Sequence, residues 1–191
     1  MLAAFAQPVF DSQRNFRELL QAMARPAAPR IVPVLPPAAA PITPAAMAIL
    51  LTLCDSSTAL WLQDSNDDVA QHLRFHAGVR LVSNPAEADF ALITDPASMP
   101  SLTAFSQGDM RYPDRSASLI IQVESLRDDS GLRFAGPGIR ESEQLQIEGL
   151  PDRFWQERSA MRAQLPLGID LFFVAGERVA ALPRTTRVLE N

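Results

Sequence analysis

The spacing of apolar residues near the start of the chain predicts an amphipathic helix. Asp11 or Ser12 is the expected N-cap, and the helix is expected to end at about Ala24, just before a proline. One apolar face of this helix is predicted to consist of Phe16, Leu19, Leu20 and Met23. Seven prolines then follow within residues 26–44, which excludes regular helix and predicts an extended loop. Within that loop, Ile31–Leu35 has the composition of an edge strand.

The next segment predicts a helix that is buried on nearly every side. Thr43 has the position of an N-cap and Pro44 that of the first helical residue, and the helix continues from Ala45 to about Cys54. Cys54 is the only cysteine in the sequence, so the chain cannot form an intrachain disulfide. In such an apolar segment the thiol is expected to behave as a small buried hydrophobe.

Short apolar runs after this helix predict strands that alternate with helices. The strand candidates are Ala59–Leu62, Val79–Val82, Asp89–Thr94, Leu119–Val123 and Leu132–Ala135. The helix candidates are a segment that Asn66-Asp67-Asp68 caps and that ends at about His76, a short helix within Ile139–Ile147, and Pro151–Gln164. Leu119–Val123 is apolar without alternation, which is typical of a strand covered on both faces. Leu132–Ala135 is expected to pair with it across a turn at Arg127–Gly131.

The C-terminal part has the pattern of a hairpin. Two apolar runs, Ile169–Ala175 and Arg178–Leu182, flank the two-residue turn Gly176-Glu177. Earlier in the chain, Gly136-Pro137-Gly138 is interpreted as a tight turn, because the proline removes a backbone donor that a phosphate-binding loop would use. Together these elements predict a single α/β domain over residues 1–191. It is expected to be a three-layer sandwich with a mixed β-sheet and helices on both faces.

The composition restricts the chemistry more than the fold. All 17 basic residues of the 191 are arginine, against 22 acidic residues and a net charge of −5. Without lysine the chain cannot form a Schiff base to a carbonyl substrate or to pyridoxal phosphate, and it cannot complete a Walker A loop. Two histidines and one cysteine argue against a structural zinc site, so neither a metal nor a cofactor is expected.

The sequence also shows no sign of a membrane or nucleic-acid partner. Its net negative charge does not indicate the basic surface that non-specific DNA or RNA binding needs. Residues 1–7 lack the basic region and the apolar length of a signal peptide, and no run reaches the roughly 20 apolar residues of a membrane helix. A cytoplasmic protein is therefore expected.

The first candidate binding residues lie in Leu73-Arg74-Phe75-His76, at the end of the third predicted helix. Arg74 and His76 are two positions apart, so a continuing helix would point them to different sides, whereas at a helix end they could converge on one anion. A cationic histidine at a helix C-terminus is also favoured by the macrodipole without any binding role. Both interpretations stay open, and His72 is interpreted as a helix-surface residue.

The second candidate is the segment Pro183-Arg184-Thr185-Thr186-Arg187, directly after the last predicted strand. Arginine binds phosphate with two parallel hydrogen bonds and threonine hydroxyls add short ones, so Arg184, Thr185 and Thr186 form a candidate phosphate cradle. The alternative is a solvated tail whose arginines pair with acids. Asp170 lies in an apolar run and needs a hydrogen bond or an arginine partner. The sequence does not describe a self-sufficient active site.

Six segments, in family order, resemble the H-subunit family of the bacterial carbon–phosphorus lyase system (PhnH). They are Phe16-Arg17-x-Leu19-Leu20-x-Ala22-Met23-x-x-Pro26, Leu50-Leu51-Thr52-Leu53-x-Asp55, Leu73-Arg74-Phe75-His76, Gly136-x-Gly138-Ile139, Pro166-Leu167-Gly168-Ile169-Asp170-Leu171 and Pro183-Arg184-Thr185-Thr186. The resemblance spans about Phe5 to Val188, and the segment that begins at Pro166 is the most specific. Ala27 departs from the family pattern, in which a glycine usually follows the proline.

The resemblance implies a role in bacterial phosphonate catabolism. In this family's system the G, H, I and J subunits form a core complex. The G, H, I and L components are implicated in displacing adenine from ATP with an alkylphosphonate, which gives a ribose 1-phosphonate 5-triphosphate. Radical cleavage belongs to the iron–sulfur J subunit, and the single cysteine here cannot support such a cluster. The resemblance also implies a fold like that of pyridoxal-phosphate-dependent transferases, without the cofactor.

Three function classes remain open at this point. The first is an accessory or non-catalytic subunit of the ribose 1-methylphosphonate 5-triphosphate synthase, with the G, I and J subunits as partners and a homodimer when isolated. The second is a freestanding nucleotide- or phosphate-binding enzyme that uses Arg74, His76 and Arg184. The third is a purely structural dimerisation module that binds no ligand. The shortage of general acid and base candidates favours the first.

Overall fold

A computed structural model describes residues 2–64 and 67–189 of the chain. Its helices are α1 (Pro8–Ala24), α2 (Pro44–Leu53), α3 (Asp67–Ala77) and α4 (Phe154–Met161). Its strands are β1 (Arg30–Ile31), β2 (Ala59–Leu62), β3 (Arg80–Leu81), β4 (Phe90–Ile93), β5 (Ser118–Gln122), β6 (Ser125–Ala135), β7 (Glu143–Glu148), β8 (Asp170–Ala175), β9 (Arg178–Leu182) and β10 (Arg187–Val188). Asn66, the expected N-cap of α3, lies outside the described residues. Within those two ranges, no helix has both the length and the apolar character needed to cross a membrane.

Seven strands form a mixed sheet in the order β1-β9-β8-β5-β4-β2-β3. The run from β8 through β5, β4 and β2 to β3 is parallel, whereas β9 is antiparallel to both β8 and β1. The central strand β5 is fully buried at Leu119, Ile120 and Ile121, which confirms that it is covered on both faces. The predicted hairpin is also confirmed: β8 and β9 pair around Gly176, whose φ of 57° suits the turn of a tight hairpin.

Helices cover both faces of the sheet, as the sequence predicts. On one face, α1, α2 and α3 pack against side chains that include Leu60, Leu92, Ile120 and Phe172. On the other face lie α4, a short 3-10 helix and a second sheet, and Phe154 of α4 meets Phe173 edge to face with ring centroids 5.8 Å apart. Helix α2 is central to the core as expected, since every residue from Ala45 to Leu50 is buried. Its N-cap is also confirmed, because the Thr43 hydroxyl accepts from the backbone N–H of the third helical residue at 3.3 Å.

The second sheet, in the antiparallel order β10-β6-β7, corrects three sequence predictions. Leu132–Ala135 does not pair with β5; it is the end of the long strand β6, which pairs with β7. Arg127–Gly131 is not a turn, because β6 continues through it with a register shift opposite β7. The short helix predicted within Ile139–Ile147 is wrong as well, because residues 143–147 belong to β7. The alternation Gln144-Leu145-Gln146-Ile147, with Leu145 buried, is the strand signal that the helical interpretation overlooked.

Helix α1 begins earlier than the sequence predicts. Pro8 is its first residue and Gln7 is its N-cap, so neither Asp11 nor Ser12 starts the helix. Asp11 lies inside the first turn of the helix, where its Oδ2 accepts a hydrogen bond from the N–H of the N-cap residue Gln7 at 2.9 Å. The helix ends at Ala24 as predicted.

The buried face of α1 also differs from the predicted one. Leu19 is buried, but Phe16 and Leu20 are 49% and 53% exposed. The reason is Asn15, which is fully buried: its Oδ1 accepts from the Val34 N–H at 3.0 Å, and its Nδ2 donates to the Val34 carbonyl at 2.9 Å. A polar side of α1 therefore docks on the proline-rich loop, and an apolar strip is left at the surface.

Burial is expected to make Cys54 unreactive in the folded protein. Its side chain is buried at the end of α2, and desolvation raises the pKa of the thiol from 9.0 to about 12. Reaction with Ellman's reagent at pH 8 should therefore be roughly a thousandfold slower in the native protein than in denaturant, in proportion to the thiolate fraction. Because the unfolded thiol ionises first, this group lowers the stability as the pH rises from about 9 towards 12. Rapid stoichiometric labelling of the native protein would contradict this prediction.

Candidate functional site

The carboxyl ends of the parallel strands form the first candidate site. Strands β2, β4, β5 and β8 end at one edge of the sheet because they run in the same direction. The chain leaves β2 through α3 on one face, and it leaves β4 through the 3-10 helix Leu102–Ala104 on the other face. Such a change of side opens a crevice between two neighbouring strands, where ligands of open α/β sheets usually bind. We call the space between the ends of β2 and β4 the crevice.

Polar side chains at the crevice tie the ends of β2 and β4 together. Gln63 follows β2, and its Oε1 accepts hydrogen bonds from the N–H groups of Thr94 and Asp95, both at 2.9 Å. Its Nε2 donates to the Asp95 carbonyl at 2.8 Å and to Ser98 Oγ at 3.1 Å. The Thr94 hydroxyl donates to the Asp64 carboxylate. These groups bond to one another, so they fix the shape of the crevice.

The proline-rich loop covers the crevice. Pro41 and Ile42 line the same narrow space as Gln63, and this space has no room for a water molecule. Gln122, the last residue of β5, accepts a hydrogen bond from the Thr43 N–H at 2.7 Å and donates to the Pro41 carbonyl at 3.0 Å. Because the Gln122 side chain is buried, these two bonds anchor the loop firmly over the carboxyl edge of the sheet.

Two larger cavities border α3. One of about 600 Å³ lies between the proline-rich loop, α2 and α3, and His72 forms part of its wall. The other, of about 450 Å³, lies between α3, β2 and β3, and its wall includes Asp67 and Arg74. Both volumes are within the range of cavities that hold small ligands.

The structure does not bring Arg74 and His76 together. Helix α3 continues through both residues to Ala77, so their side chains project to different sides. Arg74 is exposed and lines the 450 Å³ cavity. His76 is also exposed, and its ring centroid lies 4.5 Å from that of His72. A single anion held by both residues would need the helix to end before His76.

The interpretation of His72 as a surface residue is wrong. His72 is only 4% exposed, because the side of α3 that carries Val69 and Leu73 packs into the core. Among the described residues, neither of its ring nitrogens has a hydrogen-bond partner. Burial, and secondarily the neighbouring His76, lower the pKa of His72, so the imidazole is neutral at pH 7. Residues 2–64 and 67–189 contain no group of three or more His, Cys, Asp or Glu that could hold a metal ion.

In the tail, Arg184 is held by Asp170. Arg184 Nη2 lies 2.6 Å from Asp170 Oδ2, and the Arg184 backbone N–H donates to Asp170 Oδ1 at 2.8 Å. The expectation that Asp170 meets an arginine is thereby confirmed. Thr185 is exposed, whereas Thr186 is 1% exposed and its hydroxyl has no partner within the described ranges. The ion pair of Arg184 with Asp170 agrees with the alternative interpretation of this segment, in which its arginines pair with acids.

Two arginines that the sequence analysis did not single out lie beside Arg184. Arg158 on α4 is 6% exposed, and its Nη2 donates to the Pro183 carbonyl at 2.8 Å. Burial lowers the pKa of Arg158 to about 10, so its guanidinium is still charged at pH 7. Arg162 Nη1 lies 3.5 Å from the Thr185 carbonyl oxygen. In the sequence, the feature that points to this site is a cation, Arg158, on the apolar side of the helix predicted at Pro151–Gln164.

We call Arg158, Arg162 and Arg184 the arginine cluster. All three line one small cavity with room for about one water molecule, and Asp170 pairs with one of them, Arg184. The cluster lies at the amino-terminal edge of the parallel strands, opposite the crevice, because β9 runs antiparallel to β8. In the sheet order, β9 is four strands from β2, or about 19 Å across the sheet, so the cluster and the α3 residues form separate sites.

The fold and these sites define the class of protein: a small α/β protein with a loop-covered crevice at one edge of its sheet and an arginine cluster at the other. Over residues 3–189 the chain matches the family of bacterial phosphonate metabolism proteins (PhnH), and it belongs to that family. It is 40% identical over 190 residues to the alpha-D-ribose 1-methylphosphonate 5-triphosphate synthase subunit PhnH of Rhizobium meliloti (strain 1021), which covers 97% of this chain and 94% of the relative.

A second relative supports the same assignment. The chain is 34% identical over 178 residues to the putative C-P lyase subunit protein HtxG of Stutzerimonas stutzeri, which covers 92% of this chain and 85% of the relative. The family resemblance carried by the six sequence segments is thus confirmed along nearly the whole chain. The same comparisons confirm that the chain belongs to phosphonate metabolism.

Proposed function

We propose that this chain is the H subunit of a carbon–phosphorus lyase core complex and assembles there with the G, I and J subunits. In that complex it is needed to form ribose 1-phosphonate 5-triphosphate from ATP and an alkylphosphonate. The observation that carries this proposal is the match to a phosphonate metabolism family over residues 3–189, together with a relative that is named as a subunit of the corresponding synthase.

The chain acts as an accessory subunit in this proposal. At the crevice, the side chains of Gln63 and Asp64 are engaged by backbone and hydroxyl donors after β4. In the tail, Arg184 is engaged by Asp170. These two sites offer shape and charge rather than a poised general acid or base. A fold like that of the pyridoxal-phosphate-dependent transferases, without cofactor, belongs to the proposal and is supported by the mixed sheet and by the absence of lysine.

A freestanding enzyme is the weaker alternative. It would need Arg74, His76 and Arg184 to act on one substrate. Arg74 and His76 project from different sides of α3, and the strand that precedes Arg184 is about 19 Å across the sheet from the strand that precedes α3. A subunit whose contacts are completed by partners fits this separation better.

A contact with a phosphate or phosphonate group at Pro183–Arg187 remains part of the proposal. The arginine cluster carries three cations, and within the described ranges one carboxylate, that of Asp170, forms an ion pair with it, while the Thr186 hydroxyl has no partner there. Arg184 shares its guanidinium with Asp170, so Arg162 and Thr185 supply the more open donors. Arg74 and His76 are proposed as further, separate anion contacts.

Removing Arg162 should weaken anion binding without unfolding the protein. Arg162 is half-buried and makes one long hydrogen bond to the residues that the structure describes, so Arg162→Ala should leave the melting temperature nearly unchanged. It should lower the affinity for ATP at least tenfold, the scale of a charged hydrogen bond. Isothermal titration with ATP and a thermal melt on the same sample measure both quantities. Arg140→Ala is the matched control, since Arg140 is exposed and outside the cluster. Equal ATP affinity in the two variants would contradict the proposed anion site at the arginine cluster.

A cytoplasmic location, a single domain and a homodimer in isolation complete the proposal. The homodimer is supported by exposed apolar side chains on α1. These are Val9, Phe10, Phe16 and Leu20. Such a strip is typical of a surface that another chain covers.

Co-purification tests the assembly itself. When a tagged chain is co-expressed with the G, I and J subunits of its own host, all three should be recovered with it in fixed proportion. If G, I and J assemble with one another and the chain is recovered alone, the proposed subunit role is contradicted.

A further inference from the structure

The two histidines of the sequence both lie on α3, four positions apart. Residues at this spacing are neighbours on one side of a helix, so His72 and His76 stand one above the other. Their ring centroids are 4.5 Å apart, and the ring planes are tilted by 53°. Two histidines four positions apart on a helix can bind one zinc ion together.

His72 is a buried member of this pair whose nitrogens are unused. It is 4% exposed, and neither ring nitrogen has a hydrogen-bond partner among residues 2–64 and 67–189. Buried polar groups normally find a hydrogen bond, because leaving one unmade costs free energy. A neutral imidazole keeps a lone pair on one nitrogen, and this lone pair is the usual metal ligand of histidine. His72 therefore offers a ligand atom that packing holds in place.

The position of the pair gives an ion access to it. His72 forms part of the wall of the 600 Å³ cavity, and His76 is exposed in the last turn of α3. Zinc–nitrogen bonds are about 2.0–2.1 Å long, so two nitrogens on one ion lie roughly 3–3.5 Å apart. Rings whose centroids are 4.5 Å apart can bring their nitrogens to this separation when the exposed His76 ring turns.

We propose that His72 and His76 together bind one Zn²⁺ ion or a similar divalent cation that prefers nitrogen ligands. Within the described ranges no group of three or more His, Cys, Asp or Glu could hold a metal ion, so water or an outside ligand completes the coordination. The composition argues against a closed structural zinc site, and a site with two protein ligands is an open one. Its open positions can take an anion oxygen, which is compatible with the anion contact proposed for His76.

This site uses none of the arginines and needs no partner subunit, so its failure would leave the proposed function standing. The chain is also well suited to the test. It contains two histidines in all, so no other imidazole can bind the ion. Burial raises the pKa of the Cys54 thiol to about 12, which removes the one cysteine as a competing ligand.

Isothermal titration of the untagged chain with zinc chloride should show one site per chain. His76→Phe changes an exposed residue and should weaken zinc binding at least about tenfold, because a single imidazole loses the advantage of two linked ligands. His72→Phe should weaken it by a similar factor. The matched control is Phe75→Leu, since Phe75 is an exposed ring on the same turn without a ligand atom; it should bind zinc within about threefold of the wild type. Magnesium, which prefers oxygen ligands, should not compete.

A second measurement on the wild-type chain keeps the test independent of how well the variants fold. Zinc should shift the ring ¹⁵N resonances of both His72 and His76. Absence of zinc binding to the wild-type chain, unchanged affinity in His76→Phe, or a shift confined to one of the two histidines would each overturn the proposal.

Discussion

The Arg184→Ala variant is expected to melt about 4–8 °C below the wild-type chain. The side chains of Arg184 and Asp170 are 17% and 22% exposed, so the truncation leaves a partly buried carboxylate without its cation. The backbone N–H of residue 184 still donates to Asp170, which limits the expected loss to about 2 kcal/mol. Differential scanning calorimetry on a sample whose ATP affinity is also measured checks this result.

Arg187→Ala is the matched control for this variant. Arg187 has the same charge in the same tail and is exposed, so its removal should change the melting temperature by less than about 1 °C. The loss of ATP affinity in Arg184→Ala should be smaller than that in Arg162→Ala. A large loss of affinity at an unchanged melting temperature would instead favour the open phosphate cradle and refute the structural role of the Arg184–Asp170 pair.

A larger loss of stability is expected from Arg158→Met, with a melting temperature lower by about 6–12 °C. Arg158 is 6% exposed, and its Nη2 donates to the carbonyl oxygens of Pro183 at 2.8 Å, Thr186 at 3.3 Å and Leu182 at 3.5 Å. Methionine fills a similar volume but donates nothing, so the bonds from the charged guanidinium to these carbonyls are lost at a cost of about 3 kcal/mol. Thermal melts of both proteins at pH 7 measure the difference.

The tail should also loosen in Arg158→Met. Thr186 N–H donates to the Pro183 carbonyl at 2.9 Å in the wild-type chain, and its hydrogen exchange should speed up when Arg158 no longer holds this segment. Arg162→Met is the control. In the part of the chain that the structure describes, Arg162 makes one hydrogen bond, of 3.5 Å, so this change should lower the melting temperature by less than about 2 °C. Equal melting temperatures in the two variants would contradict the structural role of Arg158.

The elements that local sequence predicts correctly are those whose signals agree with their surroundings in the fold. Helix α2 has a threonine cap, a proline at its first position and apolar residues all round, and the structure buries it between the sheet and two other helices. The β8–β9 hairpin has a glycine at the position that needs a positive φ. In both cases no distant segment competes with the local preference.

The errors arise where a distant segment decides the outcome. Phe16 and Leu20 have helical spacing with Leu19, but Asn15 pairs with Val34 and turns α1 so that both stay exposed. Strand β6 pairs with β7 rather than with β5, and no local pattern specifies that choice. Propensity and periodicity describe one segment at a time, so they could not decide either case.

The residues of the candidate sites also divide into those that the sequence could predict and those that it could not. The need of Asp170 for an arginine could be predicted because a carboxylate stands in an apolar run, and Arg184 meets it. The burial of His72 and the carbonyl partners of Arg158 depend on elements that are far apart in sequence, so the sequence alone could not predict them; for Arg158 it offered only a cation on the apolar side of a helix. The loop that covers the crevice is also held by a contact between residues far apart in sequence, in which Gln122 donates to the Pro41 carbonyl.

Release of adenine from ATP in the presence of methylphosphonate tests most directly whether the chain works as a synthase subunit. With the G, I, J and L components of its own host, adding the chain should raise adenine release at least tenfold over the mixture that lacks it. The chain alone should release none. The same rate with and without the chain, or turnover by the chain alone, would contradict its role as an accessory subunit.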